Sequence, residues 1–201
     1  MVKAHIYLEG GGDKQLDIKC REGFNKLLMK CGFEKRMPKL TACGARNSAY
    51  TGFTAAHAKA SSGDYIVLLV DSEDSVEDVN SPWAHLNKRD GWAIPPGATD
   101  EQVLLMATCM ETWIVADRDS LSSHYGQCLQ VSALPATHNL ESRDRKTVQD
   151  NLSHATRNCT GPYKKGKKSY ELLGELNPDA IEPLLPSFER ARVILDGRLQ
   201  I

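Results

Sequence analysis

The sequence predicts an α/β protein: a mostly parallel central sheet with helices on both faces, followed by a helical, basic C-terminal extension. Three observations predict it. Apolar runs of strand length alternate with stretches of helical spacing along the first half of the chain, the order that right-handed crossovers turn into a parallel sheet. One of those runs, DYIVLLVD from Asp64 to Asp71, is continuously branched and aliphatic, as a strand buried on both faces must be. Beyond Tyr125 the composition turns basic, with eight Lys or Arg against two Asp between Arg143 and Lys168.

The elements follow in order. Ala4 to Leu8 reads as the first strand. After three glycines, Leu16, Cys20, Phe24, Leu27, Leu28 and Cys31 recur at spacings of three and four, which makes one apolar stripe of a helix stopped at Gly32. PKLTAC gives a second strand ending at Cys43, a glycine turn, and an alanine-rich helix over Ser48 to Ala60. Asp64 to Asp71 is the third strand. Asp71 to Pro96 holds an acidic run and two tryptophans and reads as a loop with one short helix around Trp83 to Asn87. A fourth strand is expected from Val103 to Thr108, running into an amphipathic helix that carries Glu111 and Trp113. KKSYELLGELNP enters a helix that ends before Pro178, and SFERARVILDGRL closes the chain with another.

With 201 residues, 41% of them hydrophobic, the chain can bury one substantial core. The expected division is an α/β core over 1–126 and a basic, mainly helical extension over 127–201 packed on it. The net charge of -1 conceals this segregation of acids and bases. A single early Lys and a short apolar run fall short of a signal-peptide core, and no segment has the length of a membrane span. A soluble, cytoplasmic protein without a membrane partner is expected. The six cysteines lack any C-x-x-C pair, which argues against a disulfide framework or a zinc knuckle and for a reducing compartment.

In an open parallel sheet, functional groups gather beyond the carboxyl ends of the strands. Three acidic groups fall there: Glu9 after the first strand, Asp71 and Glu73 after the third, and Glu111 past the fourth. Carboxylates brought together raise one another's pKa unless cations neutralise them, and magnesium or manganese, which prefer oxygen ligands, would do so. The glycine loop EGGGDKQL has neither the spacing and hydroxyl of a Walker loop nor the G-x-G-x-x-G fingerprint. Its glycines read instead as a sharp turn beside Glu9, with Asp13 on the first turn of the helix that follows.

E-G at the end of a first strand and an apolar strand ending in D-x-[DE] resemble the Toprim fold of topoisomerases, primases and the overcoming-lysogenization-defect nucleases. The motifs LEGGGD, GARNS, LLVDSED, METWIVAD and YKKGKKSYELLGELNP, in that order, are similar to the Toprim-like domain-of-unknown-function family 4276, over His5 to about Leu195. The resemblance implies a magnesium-dependent nuclease that cleaves DNA or RNA, with Glu9, Asp71 and Glu73 catalytic and Glu9, Asp13, Asp71 and Glu73 holding metal. Glu73 stands where the family's second Asp is usual, and Asp13 where related nucleases carry a second Glu. Asp74 is an alternative ligand. The resemblance also implies an ABC-type ATPase partner and a place in a two-component anti-phage defence system.

Each residue also has a plainer reading. Asp13 suits a helix N-terminus as well as a ligand. Glu111 suits a helix cap, a pair with an Arg, or the site. Arg46, near the start of a helix, suits a phosphate or a salt bridge to the acids. Lys164, Lys165, Lys167 and Lys168 suit nucleic-acid contact or a solvated face. Two functional classes follow: the nuclease, or a catalytically inactive Toprim-like module that docks to an ATPase through its acidic cleft. A nucleotidyl transferase or primase relative shares the same carboxylates.

Overall fold

The computed structural model describes residues 3–199. Four strands, β1 (Lys3–Leu8), β2 (Lys39–Ala42), β3 (Asp64–Asp71) and β4 (Val103–Met106), form one sheet in the order β2-β1-β3-β4, and every pairing is parallel. Nine helices surround it among the described residues: α1 (Lys14–Leu28), α2 (Arg46–His57), α3 (Pro82–Asp90), α4 (Met110–Ala116), α5 (Arg118–Tyr125), α6 (Arg145–Thr156), α7 (Lys167–Glu175), α8 (Pro178–Ile181) and α9 (Pro186–Arg198). The α/β class and the helical C-terminal extension are as the sequence predicts.

Strand alternation explains the two layers. In β3, Val67 and Leu69 face one apolar cluster with Phe24 and Leu27 of α1, whereas Ile66, Leu68 and Val70 face a second with Phe53 of α2 and Trp83 of α3. Both faces are therefore covered, and β3 must read as a continuous apolar run. Residues of α6, α7 and α9, in the extension, join the first cluster through Val148, Leu173 and Phe188. The path β1-α1-β2 moves one way along the sheet and β2-α2-β3-α3-β4 moves back across β1. The chain reverses between β1 and β3, and that reversal opens a crevice at their carboxyl ends.

Helix α1 packs tightly on α7 because Gly23 leaves room for it: a Cβ there would stand 2.4 Å from the Tyr170 carbonyl oxygen. Gly23→Ala is expected to lower stability by about 2 kcal/mol, since overpacking forces backbones apart, and the melting temperature by roughly 4–8 °C. An unchanged melting temperature would show that the two helices part freely.

Two expectations are corrected. The first helix ends at Leu28 and is followed by a wider turn, Met29–Phe33, in which Gly32 takes φ 89°. Cys128 and Cys159 form a disulfide across 31 residues of sequence. A search for local C-x-x-C spacing misses it because the fold supplies the proximity: α6 returns the chain so that the Gln130 N–H donates to the Ala155 carbonyl at 2.9 Å.

Candidate functional site

Glu9, one residue past β1, and Asp71, the last residue of β3, stand on either side of the reversal crevice. The register of β1 on β3 brings their backbones side by side, and the Glu9 N–H donates to the Leu69 carbonyl at 2.9 Å. Glu73 follows at φ 70°, a left-handed backbone rare for a residue with a side chain. Its N–H donates to the Thr108 carbonyl at 2.8 Å, next to the Ser72 N–H bond to Met106 at 3.0 Å. These bonds turn the chain so that Glu9, Asp71 and Glu73 each offer a carboxylate oxygen within 4.8 Å of the others.

The three acids differ in their electrostatics. Asp71 is 6% exposed. Its burial, with the charges of Glu9 and Glu111, pushes its carboxyl well above the usual range, against the pull of Lys165. Its Oδ1 accepts the Met110 N–H at 2.9 Å, and its other oxygen accepts no hydrogen bond among the described residues. Burial also pushes Glu9 up, with Glu73 adding to it and the Arg46 charge and Asp71 N–H opposing. The Glu9 Oε2 accepts both the Asp71 N–H and an Arg46 N–H at 3.2 Å.

Three arginines bound the acids. Arg46, the first residue of α2, also grips Asp90 at 3.2 and 2.7 Å, donates to the Asp71 carbonyl, and lies 4.9 Å from the Trp92 ring centre. Arg89 of α3 reaches Glu73 at 3.2 Å, Asp74 at 3.0 Å and Asp90. Arg145 of α6 pairs with Glu73. The chemistry of the donor set fits a hard divalent cation: three carboxylates converge, two are pushed toward protonation by burial and mutual repulsion, and a cation relieves both.

The remaining expected residues lie elsewhere or act indirectly. Asp13 caps α1, accepting the Gln15 and Leu16 N–H groups at 2.8 and 2.9 Å, and stands outside the three-carboxylate cluster. Asp74 is largely exposed and turns to Arg89. Glu111 is fully buried, with the Tyr163 hydroxyl at 2.5 Å and the Gln149 amide at 3.0 Å. The Tyr163 bond holds the loop that carries Lys164 and Lys165, and the Gln149 bond ties Glu111 to α6. Burial disfavours the charged form of Lys165, but Glu111 and Asp71 outweigh it and raise its pKa. Lys164 and Lys167 are exposed. Lys168 pairs with Glu171 at 2.8 Å and lies 3.4 Å from the His124 Nε2. His124, Glu171 and Glu175 also converge within 4.8 Å, with Lys168 paired to Glu171 and the His124 Nδ1 at 2.7 Å from Glu175.

Arg89, Asp90, Arg145 and Tyr163 were not singled out as site residues by sequence reasoning. Most of their charged partners lie 15 or more residues away, and no spacing rule reaches across 44 residues from Arg46 to Asp90.

The fold and site together define a doubly wound parallel α/β protein with a carboxylate cluster at its reversal crevice. The chain belongs to the family described as Domain of unknown function (DUF4276), whose family model matches residues 9–191. No curated protein and no solved structure matches it significantly. Among the described residues, no helix is long and apolar enough to cross a membrane.

Proposed function

We propose that the chain is a magnesium- or manganese-dependent, Toprim-type nuclease that hydrolyses phosphodiester bonds in DNA or RNA. The observation that carries this reading is the convergence of Glu9, Asp71 and Glu73 within 4.8 Å at the crevice. Those three residues would hold the cation, which when bound supplies Lewis-acid polarisation of a phosphoryl oxygen and a water of lowered pKa.

The chain's own groups have separable tasks. Arg46 and the Asp71 N–H orient the Glu9 Oε2, and the Met110 N–H orients the Asp71 Oδ1. The raised pKa of Asp71 favours its protonated carboxyl, and a bound cation would favour the carboxylate. Lys165, within electrostatic reach of Asp71, and Arg145, paired with Glu73, would neutralise charge on phosphorus. Glu111 and Tyr163 hold the lysine loop in place. The resemblance to Toprim nucleases further suggests an ABC-type ATPase partner, a role in anti-phage defence and a cytoplasmic setting. The chain has no Walker motif, so any ATP-driven step would come from that partner.

A second reading, an inactive module that docks through the acidic cleft, is favoured by the arginines already paired with Glu9 and Glu73. Calorimetry with magnesium and manganese on the wild type, Glu9→Ala and Asp71→Ala separates the two. The nuclease reading expects binding in the wild type and at least a tenfold loss in each variant, followed by cation-dependent cleavage of DNA or RNA. No cation binding, alone or with the ATPase, would leave the docking module.

A further inference from the structure

We propose that Arg145 binds the phosphodiester backbone of a nucleic acid and that Glu73 holds it shut. The opening of this latch by a divalent cation rests on the metal-dependent reading above. Arg145 is the first residue of α6, and its side chain is 41% exposed, open to a ligand from solvent. Glu73 supplies its only ion pair among the described residues, through Oε2. The same oxygen also receives Arg89 at 3.2 Å.

The two guanidiniums differ in what else holds them. Arg89 keeps Asp74 at 3.0 Å and Asp90, whereas Arg145 makes no second ion pair among the described residues. A cation drawn to the Glu73 carboxylate repels both guanidiniums and takes up the charge that holds them. Arg145 is therefore the one released.

Glu73 is not free to follow it. The φ of 70° and the backbone bond to Thr108 fix its main chain at the crevice. A side-chain residue persists in that conformation only where its surroundings over-determine it, and such positions gather at functional sites.

A released Arg145 presents a planar fork that matches two phosphate oxygens. Lys165 lies within electrostatic reach of it, and their sequence neighbours Lys146 and Lys164 are exposed bases. A run of backbone phosphates suits several bases brought near one another better than a single small anion does, since each can find its own phosphate.

The test is anisotropy of a fluorescein-labelled DNA oligonucleotide with wild type, Glu73→Gln, Arg145→Ala and the control Glu77→Gln, each in EDTA and in magnesium. Glu77 is an exposed acid paired with Lys88, so its substitution changes net charge equally without touching the latch. The expected result is weak binding by the wild type in EDTA and about tenfold tighter binding by Glu73→Gln, the worth of one charge-assisted hydrogen bond. Glu77→Gln stays near wild type, and Arg145→Ala binds weakly in both buffers. Wild type tightens with magnesium to the level of Glu73→Gln. Equal binding by Glu73→Gln and wild type in EDTA would overturn the latch, as would wild-type affinity in Arg145→Ala. Tight binding by Glu73→Gln with a wild type indifferent to magnesium would uphold the Glu73–Arg145 latch and overturn only the metal-dependent reading.

Discussion

Arg46→Ala is expected to lower stability at neutral pH by about 3 kcal/mol, because removing one partner of a largely buried ion pair leaves its acids uncompensated. The Arg46, Glu9 and Asp90 side chains are 13%, 19% and 11% exposed, so water replaces little of what the guanidinium provides. Four links break together: Glu9, both oxygens of Asp90, the Asp71 carbonyl, and the stacking on Trp92. In a protein of this length the loss corresponds to a fall of about 6–12 °C in melting temperature.

The pH dependence of that loss has a defined sign. Burial would raise the Asp90 carboxyl, but its bonds and charge contacts with Arg46 and Arg89 outweigh it and depress its pKa. An acid depressed by folding contributes stability above its unfolded pKa, and that contribution disappears as pH falls through the folded value. The wild type and Arg46→Ala should therefore draw closer in stability below about pH 4, the ordinary aspartate range. Arg46→Lys should recover less than half of the loss, since an ammonium cannot fork onto Asp90 and reach Glu9 together. A loss under about 1 kcal/mol, the level of a surface pair, would show that the arginine is not structural.

What was legible in the sequence divides along physical lines. The four strands and the two-faced sheet were legible because β3 must be apolar on both faces and α1 on one, and those patterns are local. Glu9 and Asp71 were legible as neighbours because parallel strands bring their carboxyl ends to one edge. Asp13 looked like a member of the same group by proximity in sequence, but three glycines at positive φ separate it from Glu9, and the N–H groups at the start of α1 claim its oxygen. The arginine frame was not legible. Arg89 and Asp90 close a short helix, and Arg145 opens another; nothing in their spacing distinguishes them from the other charged residues on helix ends. The disulfide between Cys128 and Cys159 was hidden for the same reason, since the return of α6 makes that contact.

Asp71→Asn is expected to be more stable than the wild type without divalent cations and less stable with them. Burial, Glu9 and Glu111 raise the Asp71 pKa in the folded protein. An acid raised by folding contributes stability fully below its unfolded pKa, about 3.9, and that stability is lost as pH rises through the folded value. In EDTA the wild type should weaken from about pH 4 upward, while the variant, whose amide oxygen still accepts the Met110 N–H, lacks this contribution to the slope. Near pH 8 the variant should be ahead by roughly 1–3 kcal/mol, the cost of a buried group left without a partner. Magnesium at about a thousandfold over its dissociation constant adds roughly 4.1 kcal/mol to the protein that binds it, or about 8–16 °C, and nothing to a variant that no longer binds it. Thermal melts across pH with EDTA and with magnesium read both effects. Parallel pH profiles in EDTA would contradict the raised Asp71 pKa, and an unmoved wild type in magnesium would contradict the metal site. The inversion of rank between the two buffers is what separates a carboxylate kept for a ligand from one kept for the fold: a residue that costs stability until its cation arrives has its use in the bound state.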